Sequence, residues 1–172
     1  DFEWFRNGIW TDNSDNVLSS SETAKGENWR VKITPTDGLG YGEYAEEVIA
    51  ILNSPPELQG AWLESNSQLV TNGTWLSCEV ETCSDPDQDD CVLSYEWRNL
   101  TTDTFLGTNK NINLNAAKTQ PGNIVECILT ATDSDGASNF VSLTKQVKPA
   151  PPLLTSLDIE PVSITKGDTI YC

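Results

Sequence analysis

The chain lacks histidine, has few basic residues and contains no long apolar run. Its 172 residues include 26 Asp and Glu, 10 Lys and Arg and no His, for a formal net charge of −16. Without histidine there is no Ser-His-Asp or Cys-His nucleophile and no histidine metal ligand. Nucleic acids and anionic membranes require a basic face, and a membrane helix requires about 20 apolar residues. We therefore expect no nucleic-acid partner and no membrane insertion in this segment.

Cysteines and glycosylation sequons indicate an extracellular location. None of the five cysteines has the CxxC spacing of a zinc ribbon or a redox motif. The sequons "NGT" at Asn72 and "NLT" at Asn99 each follow or precede a predicted strand, so both asparagines are expected to be exposed and to carry glycans. The chain begins at Asp1 rather than Met, which predicts that it is processed or a fragment.

The sequence repeats itself with a period near 94 residues, which predicts tandem domains. Four pairs of segments match in the same order, at offsets of 93 to 96 residues. They are "FEWFRN" (2–7) with "YEWRNL" (95–100), "WRVKITPTDG" (29–38) with "VECILTATDSDG" (125–136), "NSPPEL" (53–58) with "PAPPLL" (149–154), and "TNGTWLSC" (71–78) with "TKGDTIYC" (165–172).

Two Pro-Pro pairs predict where the domains meet, because proline stiffens a connection and ends strands. The linkers are placed at 53–57 and 149–153, with one complete domain at 58–148 between them. Residues 1–52 are then the later part of a preceding domain, and residues 154–172 are the first strands of a following one.

Alternating apolar residues predict an all-β fold of immunoglobulin-like sandwiches. In "IVECILTA" every second residue is small or apolar, which is typical of a strand with one buried face. Cys78, Trp97 and Cys127 follow the Cys…Trp…Cys order of an immunoglobulin core. We expect a disulfide between Cys78 and Cys127, with two buried thiols as the alternative.

The two neighbouring domains differ at the bridge positions. Val31 stands where the second cysteine would be, so the preceding domain must hold its core without that bond. Cys172 stands at the first bridge position of the following domain. The residues expected to form the core of the preceding domain are Phe2, Trp4, Trp29, Val31 and Ile33.

These segments, with "TPTDGLGYGE" and "SDPDQDD…YEW", resemble the tandem immunoglobulin-like, PKD-like and cadherin-like repeats of large secreted microbial cell-surface proteins. The resemblance covers the whole chain. It implies β-sandwich units in an extracellular stalk, adhesin or filament. "DPDQDD" departs from the more usual "DPDGD" of such repeats, since it lacks the glycine and gains flanking cysteines.

The loop "CSDPDQDDC" (83–91) predicts a turn closed by a disulfide, with or without a bound calcium ion. A disulfide between Cys83 and Cys91 would restrict the conformation of the loop. An EF-hand is rejected, because Asp90 replaces the required glycine and no helices flank the loop. In a sandwich, however, this loop meets "TDSDG" near the 53–57 linker. Calcium ligands could then come from Asp85, Asp87, Asp89, Asp133 and Asp135; the alternative is a solvated tip built of good turn residues.

The predicted function is that of a non-catalytic structural module. Its partners would be neighbouring domains of the same chain, other copies in a filament, and covalent glycans. The alternative is a ligand- or carbohydrate-binding adhesin module that uses Trp62 and Trp75 as a sugar platform. Exchange of strands between subunits is a further assembly alternative. Carboxylates are plentiful but fall on loops and outward strand positions, so we do not expect an enzyme.

Overall fold

In the computed structural model, which describes residues 1–158, 163, 165–167 and 169, the chain is built of antiparallel β-strands. Cys172 and about half of the segment predicted as the first strands of a following domain (154–172) lie outside the described residues. The strands of the N-terminal part are β1 (Phe2–Arg6), β2 (Ile9–Trp10), β3 (Asn28–Ile33) and β4 (Ala45–Ala50). A short 3-10 helix, Ser20–Glu22, lies between β2 and β3 and begins with a capping box formed by Ser19 and Glu22.

Seven further strands follow the proline-containing segment at 53–56. They are β5 (Glu57–Ser65), β6 (Trp75–Ser84), β7 (Val92–Asn99), β8 (Thr104–Gly107), β9 (Asn111–Asn113), β10 (Ile124–Thr132) and β11 (Ser138–Gln146). They form two sheets, of order β11-β10-β7-β8 and β5-β6-β9. We call residues 1–52 the first unit and residues 57–147 the second unit.

The second unit is an immunoglobulin-like sandwich with its core between the two sheets. The alternation predicted for β10 is confirmed, because Val125, Cys127, Leu129 and Ala131 are all fully buried while the residues between them are partly exposed. Trp97 on β7 is also fully buried and pairs in register with Cys127. From the facing sheet, the side chains that close this core are Leu76 and Cys78 on β6.

Cys78 and Cys127 are free, buried thiols that lie against each other across the two sheets. The structure therefore has the alternative arrangement, a pair of thiols, and not the disulfide expected between them. A hydrogen bond with Cys78 and burial in the core both raise the pKa of the Cys127 thiol. Cys127 is thus held protonated, as expected for a thiol that serves as packing rather than as a nucleophile.

The first unit repeats one of the two sheets of the second unit. Its strand order is β2-β1-β3-β4, which corresponds strand for strand to β8-β7-β10-β11. The same backbone bonds close both sheets: the Gly26 amide donates to Ile51 over 2.8 Å, and the Gly122 amide donates to Val147 over 2.8 Å. The internal repeat seen in the sequence is thus also a repeat of backbone pairing.

The five residues expected to form the core of the first unit share one face of its sheet. Register pairs Phe2 with Ile33, Trp4 with Val31, and Arg6 with Trp29. The Trp4 and Trp29 rings meet edge to face at 6.3 Å, and Trp29 is buried. Ile33 at the other end of this face remains 40% exposed.

Candidate functional site

The acidic loops of the second unit meet at one end of its sandwich. The loop between β6 and β7 begins with Asp85, whose Oδ1 accepts a hydrogen bond of 2.7 Å from the Asp87 amide. The loop between β10 and β11 begins with Asp133, whose Oδ1 accepts bonds of 2.9 Å from the amides of Asp135 and Ala137. Both aspartates therefore build the turn that follows their strand, as Asp does in Asx turns.

A disulfide between Cys83 and Cys91 closes the first of these loops, as the sequence led us to expect. The bridge joins the end of β6 to the residue before β7, with 6.2 Å between the Cα atoms. Gln88 within the loop has a φ of 67°, a left-handed conformation that is uncommon for residues other than glycine. The bridge restricts the paths open to the loop and so holds its carboxylates at this end of the unit.

Residues of the first unit and of the linker donate hydrogen bonds to these carboxylates. The Asn53 side-chain amide donates to Asp133 Oδ2 over 2.8 Å, and the Ser54 backbone amide donates to Asp87 Oδ2 over 2.7 Å. The ammonium group of Lys25 contacts Asp135 Oδ2 at 2.6 Å and also pairs with Asp89. The acidic loops are therefore the contact between the two units.

Donors around this contact stabilise the charged forms of its side chains. Hydrogen bonds to Asp135 and Asp89 raise the pKa of Lys25, so its ammonium remains protonated. Burial alone would raise the pKa of Asp133. The hydrogen bonds it accepts from Asn53 and from backbone amides of its own turn outweigh burial, so its pKa is lowered. Asp133 is therefore a buried carboxylate in its ionised form at neutral pH.

Three of the five predicted calcium ligands lie together. Carboxylate oxygens of Asp85, Asp87 and Asp89 come within 4.8 Å of one another, whereas Asp133 and Asp135 do not join this group among the described residues. Asp85 Oδ2 is buried and has no hydrogen-bond partner within the described part of the chain. An unpaired buried carboxylate oxygen is costly, and hard cations such as calcium prefer oxygen ligands. These three side chains therefore fit a calcium ion, although Asp89 already pairs with Lys25.

The two sequons differ in exposure. Asn72 lies in an exposed turn, as expected, and its Oδ1 accepts a 2.8 Å hydrogen bond from the Thr119 hydroxyl. Asn99, the last residue of β7, is fully buried. Its side-chain nitrogen donates to Lys118 O and Asn123 Oδ1, each over 2.9 Å. The expected exposure of Asn99 is wrong, because the nitrogen to which a glycan would be attached is packed inside the fold.

Trp62 and Trp75 are exposed on the same face of the β5–β6 pair. Their relative exposures are 47% and 39%, whereas Leu76 beside Trp75 is fully buried. Trp62 pairs with Glu79, and Trp75 lies four residues before Glu79 on β6. Four residues of a strand span about 13 Å, so the two indoles lie on a common surface without forming a contiguous pair.

No family model matches this chain, and no curated protein matches it either. Seven chains of solved structures match it. Among them is the crystal structure of domains A168–A170 from titin, at 9% identity and a TM-score of 0.35. That match covers 87% of this chain and 55% of the titin chain, so the protein spans about half of the titin structure. A TM-score this low does not establish a shared fold. The assignment of the fold therefore rests on the strand order and the core described above.

Proposed function

We propose that this chain is a structural segment of an extracellular array of immunoglobulin-like units, in a cell-surface stalk, adhesin or filament of a microbe. One observation carries the proposal. The chain contains the same four-stranded sheet arrangement twice, and the two units meet through a polar contact that involves Lys25, Asn53 and Ser54. Repeated units with defined contacts between neighbours are the basis of extended, load-bearing chains.

The surface chemistry supports an extracellular setting. The net charge of −16 keeps such a chain soluble and discourages contact with nucleic acid. Asn72 offers an exposed sequon, and the Cys83–Cys91 disulfide is a bond that oxidising compartments maintain. Among the described residues, we find no helix with the length and hydropathy of a membrane span.

Detection on intact cells tests the location. Antibodies against this chain should label the surface of unpermeabilised source cells, and external protease should remove the label. Mass spectrometry of the released protein should find a glycan on Asn72 and an unmodified Asn99. Label that appears only after permeabilisation would contradict the extracellular proposal.

A calcium ion held by Asp85, Asp87 and Asp89 is a second proposal about the loop. The buried, unpartnered Asp85 Oδ2 supports it, since an ion there would satisfy that oxygen. Calcium should then raise the melting temperature of the chain, and D85N should abolish the shift, whereas D103N at an exposed loop position should keep it. Equal shifts in the two variants would show that calcium acts only through general screening.

Carbohydrate binding is the alternative function, and the exposure of Trp62 and Trp75 on one surface favours it. A bound sugar would stack on an indole and change its fluorescence. A panel of oligosaccharides should quench or shift the fluorescence of the chain if the surface is a platform, and W62A and W75A should each weaken the response. A signal that survives both substitutions would place any sugar site elsewhere.

A further inference from the structure

The contact between the units has all its donors on one side and all its acceptors on the other. We call Asp87, Asp89, Asp133 and Asp135 the junction surface. Each of these carboxylates accepts from a residue of the first unit or the linker. The donors are Ser54 N to Asp87, Lys25 Nζ to Asp89 and Asp135, and Asn53 Nδ2 to Asp133.

Lys25 is the only charged donor among these contacts. Its side chain is 28% exposed, and that of Asp89 is 16% exposed, so the pair is largely shielded from water. Lys25 Nζ also donates to Asn53 Oδ1 over 3.3 Å, which links it to the second donor residue. Four carboxylates in so small an area repel one another, and the ammonium of Lys25 is the cation that contacts two of them, Asp89 and Asp135.

The second unit does not carry the same donors at its own far end. Closing bonds of 2.8 Å, from Gly26 to Ile51 and from Gly122 to Val147, establish which positions correspond in the two units. Pro121 precedes Gly122 where Lys25 precedes Gly26. In the same way, Pro149 and Ala150 stand where the first linker has Asn53 and Ser54. The ammonium and the side-chain amide are therefore both missing from the corresponding positions of the second unit, where Lys148 is the nearest lysine to Pro149.

We propose that the junction surface is a docking site that selects its preceding neighbour, and that Lys25 is the residue that determines this selectivity. The partner that it fits is a unit of this same kind with a lysine before the corresponding glycine and an asparagine at the start of its linker. A unit ending like the second one, with proline at both positions, does not fit. This inference rests on the proposed array, and adds to it that the order of units is encoded in their junction residues.

The orientation of the two units in solution tests the proposal. Residual dipolar couplings should fit a single alignment tensor for both units of the full chain, because the junction fixes their orientation. K25A should require two different tensors, and K25R, which keeps the charge, should again require one. The matched control is K32A, since Lys32 also pairs with a carboxylate at 2.6 Å, but with Glu3 inside the first unit.

A second variant keeps the test valid if K25A alters folding of the first unit. D135N changes an exposed carboxylate of the second unit. It should also require two alignment tensors, which should differ less than in K25A, while the amide spectrum of each unit is retained. One tensor in both K25A and D135N would overturn the proposal. So would a wild-type chain that shows two tensors until calcium is added, because the metal and not Lys25 would then fix the junction.

Selectivity is tested by giving the first unit the residues that the second unit has at the donor positions, Pro121, Pro149 and Ala150. The triple variant K25P/N53P/S54A should lose the single orientation as completely as K25A. A single tensor in this variant would show that the junction surface accepts either kind of neighbour and would overturn the proposed selectivity. Neither failure would affect the proposed array, which is tested by the length of the native polypeptide.

Discussion

Replacing Asn99 by Asp tests the buried position that the sequence presented as a glycosylation site. The substitution keeps the shape of the side chain and replaces its NH2 group by an oxygen. In the folded chain that nitrogen donates to Lys118 O and to Asn123 Oδ1, while Asn99 Oδ1 accepts from the Thr101 amide over 3.1 Å. The new oxygen would face two acceptors in a fully buried position.

The expected loss of stability follows from those two contacts. Each buried polar group that loses its partner costs about 1–3 kcal/mol, so N99D should lower the free energy of unfolding by about 2–6 kcal/mol. This is a large part of the 5–15 kcal/mol that is typical of a folded domain. The matched control is N72D at the exposed sequon, where the Thr119 hydroxyl can still donate to the new carboxylate, and where a change within about 0.5 kcal/mol is expected.

Urea unfolding followed by tryptophan fluorescence measures both variants. N99D should move the midpoint to a lower urea concentration with an unchanged slope, which indicates a change in stability and not in the unfolded state. N72D should superimpose on the wild type. If the two variants unfold at the same midpoint, Asn99 is not the buried hydrogen-bonding residue described here.

Three further predictions concern the core, the loop and the response to acid. Leu129→Ala should lower the free energy of unfolding by about 2–5 kcal/mol, measured with urea, because it leaves a cavity at a fully buried position. The control L39A, at a 96% exposed position, should change this free energy little. Equal effects in the two variants would contradict the assigned core. Removing the Cys83–Cys91 disulfide in C83A/C91A should lower the free energy of unfolding by about 2.5 kcal/mol, from the chain-entropy relation for a loop this short. An unchanged urea midpoint in the absence of reductant would count against the disulfide. Because the pKa of Asp133 is lowered from its ordinary value of 3.8, its ionisation stabilises the fold above about pH 4, and this stabilisation is lost as the pH falls further. Below about pH 4 the melting temperature of D133N should therefore change less with pH than that of the wild type. Parallel curves would contradict the assignment.

The fold could be predicted from the sequence because its pattern is local and repeated. Alternation along "IVECILTA" identified the buried face of β10, and matches at fixed offsets identified the corresponding strands of the two units. Asn99 was misjudged because a sequon at a strand end has the same local sequence whether its side chain points to water or into the fold. Only the position of Lys118 and Asn123, about 20 residues away, decides that it is buried.

The junction was predicted only in part. The proximity of the two acidic loops to the linker followed from the sandwich topology, and the contacts of Asn53 and Ser54 agree with it. Lys25 was missed because a single lysine in a loop has no periodic or motif signal. The usable signal was the comparison of the two repeats, in which a rare basic residue stands where the second unit has Pro121.

The length of the native polypeptide tests most directly whether this chain is a segment of an array. Protein extracted from the source organism is run on a denaturing gel, with and without reductant and deglycosylation, and detected with an antibody to the second unit. A segment of an array should come from a polypeptide with a mass several times that of 172 residues, which persists under reduction and falls on deglycosylation. A reduced, deglycosylated mass close to that of 172 residues alone would contradict it.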